Sequence, residues 1–146
     1  MSDTVTRQET ETGWRLCVYD PRCLLSKNDA LELKFLDGYR VGGGRCPRGS
    51  GTNRYNAAVR RVREMFHMLA APIGALAGLL DVRVSFHPRG AWDDDAGALM
   101  ATWIVDGLTD AGLWKKDRRV LRWLSVRTVR DENAPPIVVE IERVPS

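Results

Sequence analysis

Three consecutive aspartates, Asp93, Asp94 and Asp95, follow the alternating apolar run Val82, Val84, Phe86, and a further acid, Asp117, stands in the turn Trp114-Lys115-Lys116-Asp117. Carboxylates crowded where a strand hands over to a helix repel one another and need a cation, helix N-terminal amides or water to coexist. Hard carboxylate oxygens suit a divalent ion such as Mg2+. On an extended segment the side chains at i and i+2 point the same way, so Asp93 and Asp95 are expected to share an ion while Asp94 points elsewhere. Asp117 has to join them from the far end of the intervening helix, a contact that the fold must supply. Each acid also has a plainer reading: Asp95 as a helix cap, Asp93 to Asp95 as a solvated turn, Asp117 as an ordinary surface ion pair.

The charge around these acids is positive. The formal net charge is only +3, but from Tyr39 to Glu64 seven arginines face one acid, and from Lys115 to Arg130 two lysines and five arginines face Asp117 alone. Such blocks attract phosphate backbones, which makes a polyanion that brings its own phosphates to a metal the expected partner. The three cysteines, Cys17, Cys23 and Cys46, form no CxxC pair and lie far in sequence from His67 and His87, a spacing that argues against a zinc site.

The elements that must position these residues can be read from periodicity. The 146 residues suffice for one domain with a real core, and 44% hydrophobic with 28% charged residues is the balance of a soluble globular chain. No apolar run approaches the roughly 18 residues of a membrane span; the longest stretch, Met65 to Leu80, is broken by His67, Pro72 and two glycines. Residues 1–13 are polar, lack the apolar segment of a secretory signal, and are expected to form a disordered tail, so a cytoplasmic location is expected. Trp14 to Tyr19 alternates as a strand, and Asp37 to Asn53, with six glycines, reads as a mobile loop. Tyr55 to Ala71 is helical by pattern, with Val59, Val62, Phe66 and Leu69 on one face, Asn53 as its cap and Pro72 as its stop. Asp81 to His87 reads as a strand; Leu99, Met100, Trp103, Ile104, Leu108 and Ala111 make the stripe of a second helix, capped by Asp95 and ended by Gly112. Val120 to Arg130 and Ile137 to Val144 read as two strands joined as a hairpin. The expectation is an α/β fold of α+β type, a single domain over residues 14–146 with two main helices on a mixed sheet of about four strands.

The stretch Trp92-Asp93-Asp94-Asp95-Ala96, the phrase VDGLTDAGLW from Val105 to Trp114, and Lys115 to Val120 after it resemble the RusA-like Holliday-junction resolvases, endodeoxyribonucleases of phages and prophages. Leu24 to Asp29 is similar to an early segment of the same family. The resemblance implies a Mg2+-dependent endonuclease, with Mn2+ as an alternative ion, acting as a homodimer on four-way DNA junctions in bacterial or phage-infected cells. It implies that Asp93, Asp95 and Asp117 bind the metal and carry catalysis, and that Asp106 matches the helix aspartate. Arg60, Arg61, Lys115, Lys116, Arg118 and Arg119 are the expected contacts to the DNA backbone. Of the aromatic residues, Trp92 is the foremost candidate to stack on an unpaired base. The chain differs from the family at Ala96, in place of asparagine, at Thr102, in place of a helical lysine, and at Lys116, in place of the first of two paired acids. On these departures rests the alternative, a junction-binding protein whose catalytic site has decayed.

Overall fold

The computed structural model describes residues 5–20, 24, 40–41, 44–45, 50–90, 92, 94–115 and 119–145; of residues 40, 41, 44, 45, 50–55, 94 and 95 it describes the backbone course alone. Strand β1 (Val5–Glu9) turns into β2 (Gly13–Val18), and two short strands, β3 (Arg40–Val41) and β4 (Gly44–Arg45), form a separate two-stranded ladder. Helix α1 (Ser50–Ala70) leads to β5 (Leu80–Phe86), helix α2 (Asp94–Asp110), β6 (Leu121–Thr128) and β7 (Ile137–Arg143). Among the described residues the fold is α+β, with two α-helices against a mixed sheet of five strands in the order β1-β2-β7-β5-β6. Among the described residues no helix is long and apolar enough to cross a membrane.

The fifth strand comes from the segment expected to be a tail. Val5 to Glu9 pairs antiparallel with Trp14 to Val18, and the turn is closed by the Thr10 amide donating to Gly13 O at 2.8 Å and the Gly13 amide donating to Thr10 Oγ1 at 3.0 Å. An edge strand exposed on both faces needs no apolar alternation, so its polar sequence hid it. Arg7 anchors it to the helical layer, donating to Leu69 O at 2.9 Å.

A second correction concerns the last two strands, which are not a hairpin. β6 runs parallel to β5, while β7 inserts antiparallel between β2 and β5. Composition accounts for the order: Ile137, Val138, Val139 and Ile141 are all buried, as a central strand requires, whereas β6 is exposed along most of its length. The link between them is held by Arg89, which donates to His87 O, Asp131 O and Ala134 O at 3.2, 2.8 and 2.6 Å.

The core lies between the sheet and the helices. Leu16, Val18, Val82, Val84, Phe86, Val139 and Ile141, alternate residues of their strands, cluster with Val62, Phe66 and Leu69 of α1 and Met100, Ile104 and Leu108 of α2. Helix α1 begins at Ser50, ahead of the cap expected at Asn53, and ends before Pro72, which lies in the 3-10 turn Ala71–Ile73. Helix α2 is buried on more than one side, since it packs against both the sheet and α1. It stops where expected: Gly112 takes φ 85°, its amide donates to Thr109 O at 3.0 Å, and the Leu113 amide donates to Leu108 O at 3.4 Å. These two bonds cap orphan carbonyls of the last turn.

On the opposite sheet face Arg122 forks onto Asp81, with Nε and Nη2 donating at 3.1 and 2.7 Å. The Arg122 hydrogen bonds hold the Asp81 carboxyl below its ordinary value, with the charges of Arg122 and Arg83 acting in the same direction. A depressed carboxylate contributes stability above its unfolded-state pKa and loses that contribution as pH falls through its folded-state value. Replacing Arg122 with alanine is therefore expected to move the Asp81 titration midpoint upward, read directly from its carboxyl carbon by NMR; an unmoved midpoint would contradict the fork.

Candidate functional site

Strand β5, helix α2 and β6 form a parallel crossover, so α2 runs back along the two strands and opens at their carboxyl ends. Two contacts fix that end. An ideal Cβ on Gly97 would lie 3.2 Å from Phe86 Cδ2 and 3.6 Å from Val126 Cγ1, and Trp92 spans the joint between Phe86 and Thr128. The Trp92 ring sits 5.4 Å from that of Phe86 at 37°, and its Nε1 donates to Thr128 Oγ1 at 3.2 Å. The indole expected to stack on a base is thus half-buried and braces the start of the crossover helix.

Asp94 and Asp95 both belong to the first turn of α2. Asp95 is therefore inside the helix rather than its cap, and the alternation of an extended segment does not govern its direction; in a helix, positions three and four apart share a face. Helix amides left without intrahelical partners in this turn carry partial positive charge and attract anions. Asp93, Asp117, Lys116 and Arg118 lie outside the described residues, and Asp95 is described by its backbone alone. Among the described residues no group of three or more His, Cys, Asp or Glu side chains is placed to hold a metal ion. The candidate donor set is all carboxylate oxygen, which fits a hard divalent cation better than zinc.

Lys115 and Arg119, each two residues from Asp117 in sequence, are exposed and lie at the other end of α2 from Asp95. The Trp114 Nε1 donates to Thr109 Oγ1 at 2.8 Å, and the Leu80 amide, at the opening of β5, donates to Val120 O at 2.7 Å. The 17 residues of α2 span about 25 Å at 1.5 Å per residue.

Arg60 and Arg61 are exposed on α1, open to a partner. Their neighbour Arg63 is otherwise employed: it forks onto Asp110 across the two helices, Nε at 3.1 Å and Nη2 at 3.0 Å. This interhelical clamp was not legible in the sequence, where Arg63 is one more basic residue in a run. His87 is 7% exposed with Nδ1 2.7 Å from Pro135 O, a structural role at the end of β5.

Two positions at which the chain departs from the RusA-like pattern are visible. Ala96 is buried, so its methyl fills a packed position, and the exposed Thr102 donates its hydroxyl to Ala98 O at 3.2 Å. No family model and no curated protein matches the chain.

Proposed function

We propose that the protein is a Mg2+-dependent endodeoxyribonuclease that nicks branched DNA, four-way junctions above all, as a two-fold homodimer. The observation that carries the reading is the opening of α2: Asp94 and Asp95 fall in the first turn of a helix that starts at the carboxyl ends of a parallel strand pair, in a chain with basic blocks on either side of the acids. Helix amides attract a phosphate oxygen, carboxylates attract the cation that accompanies it, and exposed Arg60 and Arg61 add attraction for the backbone. Asp93, Asp95 and Asp117 are the metal ligands, with Mn2+ as the alternative ion. A bound Mg2+ supplies Lewis acidity for attack of water on the phosphodiester.

Because Lys115 and Arg119 stand at the other end of α2 from Asp95, the ion is shared across the two-fold: Asp93 and Asp95 come from one subunit and Asp117 from the other. Lys115, Lys116, Arg118 and Arg119 then line the DNA path beside the partner's helix opening. A two-fold enzyme suits a junction of approximate two-fold symmetry, since resolution needs two matching nicks.

The buried Ala96 and the internally bonded Thr102 favour a second reading, in which the dimer binds junctions without cutting them. A synthetic four-way junction separates the two. Paired nicks that require Mg2+ and fall at least about 100-fold in Asp93→Asn are expected from the nuclease. Salt-sensitive binding without nicks selects the second reading. Neither binding nor nicking at low salt overturns both.

A further inference from the structure

Strand β6 closes one side of the sheet: it pairs with β5 along one edge and, among the described residues, with no strand along the other. Eight residues long, it exposes Trp123 (62%), Leu124 (45%) and Val126 (38%). Val129, just beyond it, is also exposed. Edges of this length and character template pairing with another chain unless guarded by charges, proline or a bulge away from the edge. β6 carries one irregularity, at Arg122 near its start, and is regular from Trp123 to Thr128; its charged guards are turned inward, since Arg122 leans over β5 to Asp81 and Arg127 Nε donates to Ser85 Oγ at 3.0 Å. At the other side of the sheet β1 exposes Thr6, Arg7, Gln8 and Glu9, an edge of polar and charged side chains.

We propose that β6 pairs antiparallel with β6 of a second copy about a two-fold axis at Ser125, joining the two sheets into one. The proposal names the interface of the dimer in the reading above and rests on that dimer, not on the nuclease chemistry. A two-fold axis perpendicular to a sheet preserves its faces, so along the regular stretch from Trp123 onward only residues of like parity meet, and three central registers qualify. The register centred on Leu124 sets Trp123 against the partner's Ser125 and brings the irregularity at Arg122 against the partner's Val126, which shortens the ladder. The register centred on Val126 sets Trp123 against the partner's Val129 and Ser125 against the partner's Arg127, so no ring faces a guanidinium. The register centred on Ser125 sets Leu124 against the partner's Val126 on the helical face. On the other face it sets Trp123 against the partner's Arg127, whose guanidinium is already held on that face by Ser85. An aromatic ring opposite a fixed guanidinium is a favourable cross-strand pair, and two such pairs form per dimer. The same register brings the start of β6 to the end of the partner's β6, the end at which the partner's α2 opens.

An eight-residue edge is a small interface, at or below about 1,200 Å² in total, so association in the micromolar range is expected. Sedimentation of the full chain without DNA or metal, from about 1 μM to about 1 mM, reads it. Wild type is expected to dimerise, and Leu124→Lys with Val126→Lys to weaken association at least about tenfold with unchanged circular dichroism. Both positions are exposed, so the monomer should fold. In a background with Cys23 and Cys46 replaced by serine, Ser125→Cys is expected to form an intermolecular disulfide faster than Arg83→Cys. A chain that is monomeric throughout, a dimer indifferent to the two lysines, or a Ser125→Cys no faster than the control overturns the interface. Loss of junction cleavage with dimerisation intact counts against the nuclease reading alone.

Discussion

Gly107→Leu is expected to cost about 3 kcal/mol or more of folding stability, enough to leave a marginally stable domain substantially unfolded. Gly107 lies where α2 crosses α1. An ideal Cβ there would sit 2.6 Å from Arg63 O, 3.2 Å from Arg63 Cα and 3.0 Å from Phe66 Cβ. Two of those atoms are main chain and cannot rotate away, so the helices must separate, and the Arg63–Asp110 clamp and the Phe66 packing would be disturbed with them. Even Gly107→Ala is expected to destabilise, although alanine gains roughly 1 kcal/mol in helix propensity. Gly97→Ala supplies the contrast, because its nearest obstacle is the edge of the Phe86 ring at 3.2 Å, a side chain with some freedom to shift. Urea midpoints of the two alanine variants decide the matter: Gly107→Ala at or above Gly97→Ala in stability would mean that the helices are not in backbone contact.

The other large effect is on cleavage, in subunits mixed in one tube. Asp95→Asn and Asp117→Asn are each expected to lose at least about 100-fold in junction nicking as pure proteins. If the ion is shared across the two-fold, a mixed dimer gathers both substitutions into one site and leaves the other with its full set of acids. Random exchange makes half of the dimers mixed, each with one of two sites intact, so about a quarter of wild-type nicking should return. The products should be single nicks rather than paired ones. If each subunit instead supplied all three acids, every site in the mixture would lack one, and mixing would restore nothing.

Much of the framework could be read from periodicity because burial is one-sided. Val82, Val84 and Phe86 alternate in the sequence since only one face of β5 meets the helices, and Val62, Phe66 and Leu69 recur at helical spacing for the same reason. Gly112 marked its helix end through a positive φ that glycine tolerates. Pairing was harder to see. β1 is polar because an edge strand buries little, and β6 and β7 are adjacent in sequence yet part in the sheet, where β7's apolar run claims the interior beside β5. At the candidate site the sequence supplied residue types but not direction. Asp95 falls within the first turn of a helix rather than on an extended segment, and α2's length sets Lys115 and Arg119 away from it. Trp92 looked free beside the acids because nothing in a linear pattern announces Phe86 and Thr128 as its neighbours.

Arg89 donates to three main-chain carbonyl oxygens, those of His87, Asp131 and Ala134. A guanidinium that grips main chain is indifferent to which side chains the gripped residues carry. The connection between the last two strands is thereby free to drift in composition while its length stays fixed, since removal of one residue would pull the oxygens out of the fork. Variation among relatives should accordingly appear there as substitution, with insertions and deletions confined elsewhere.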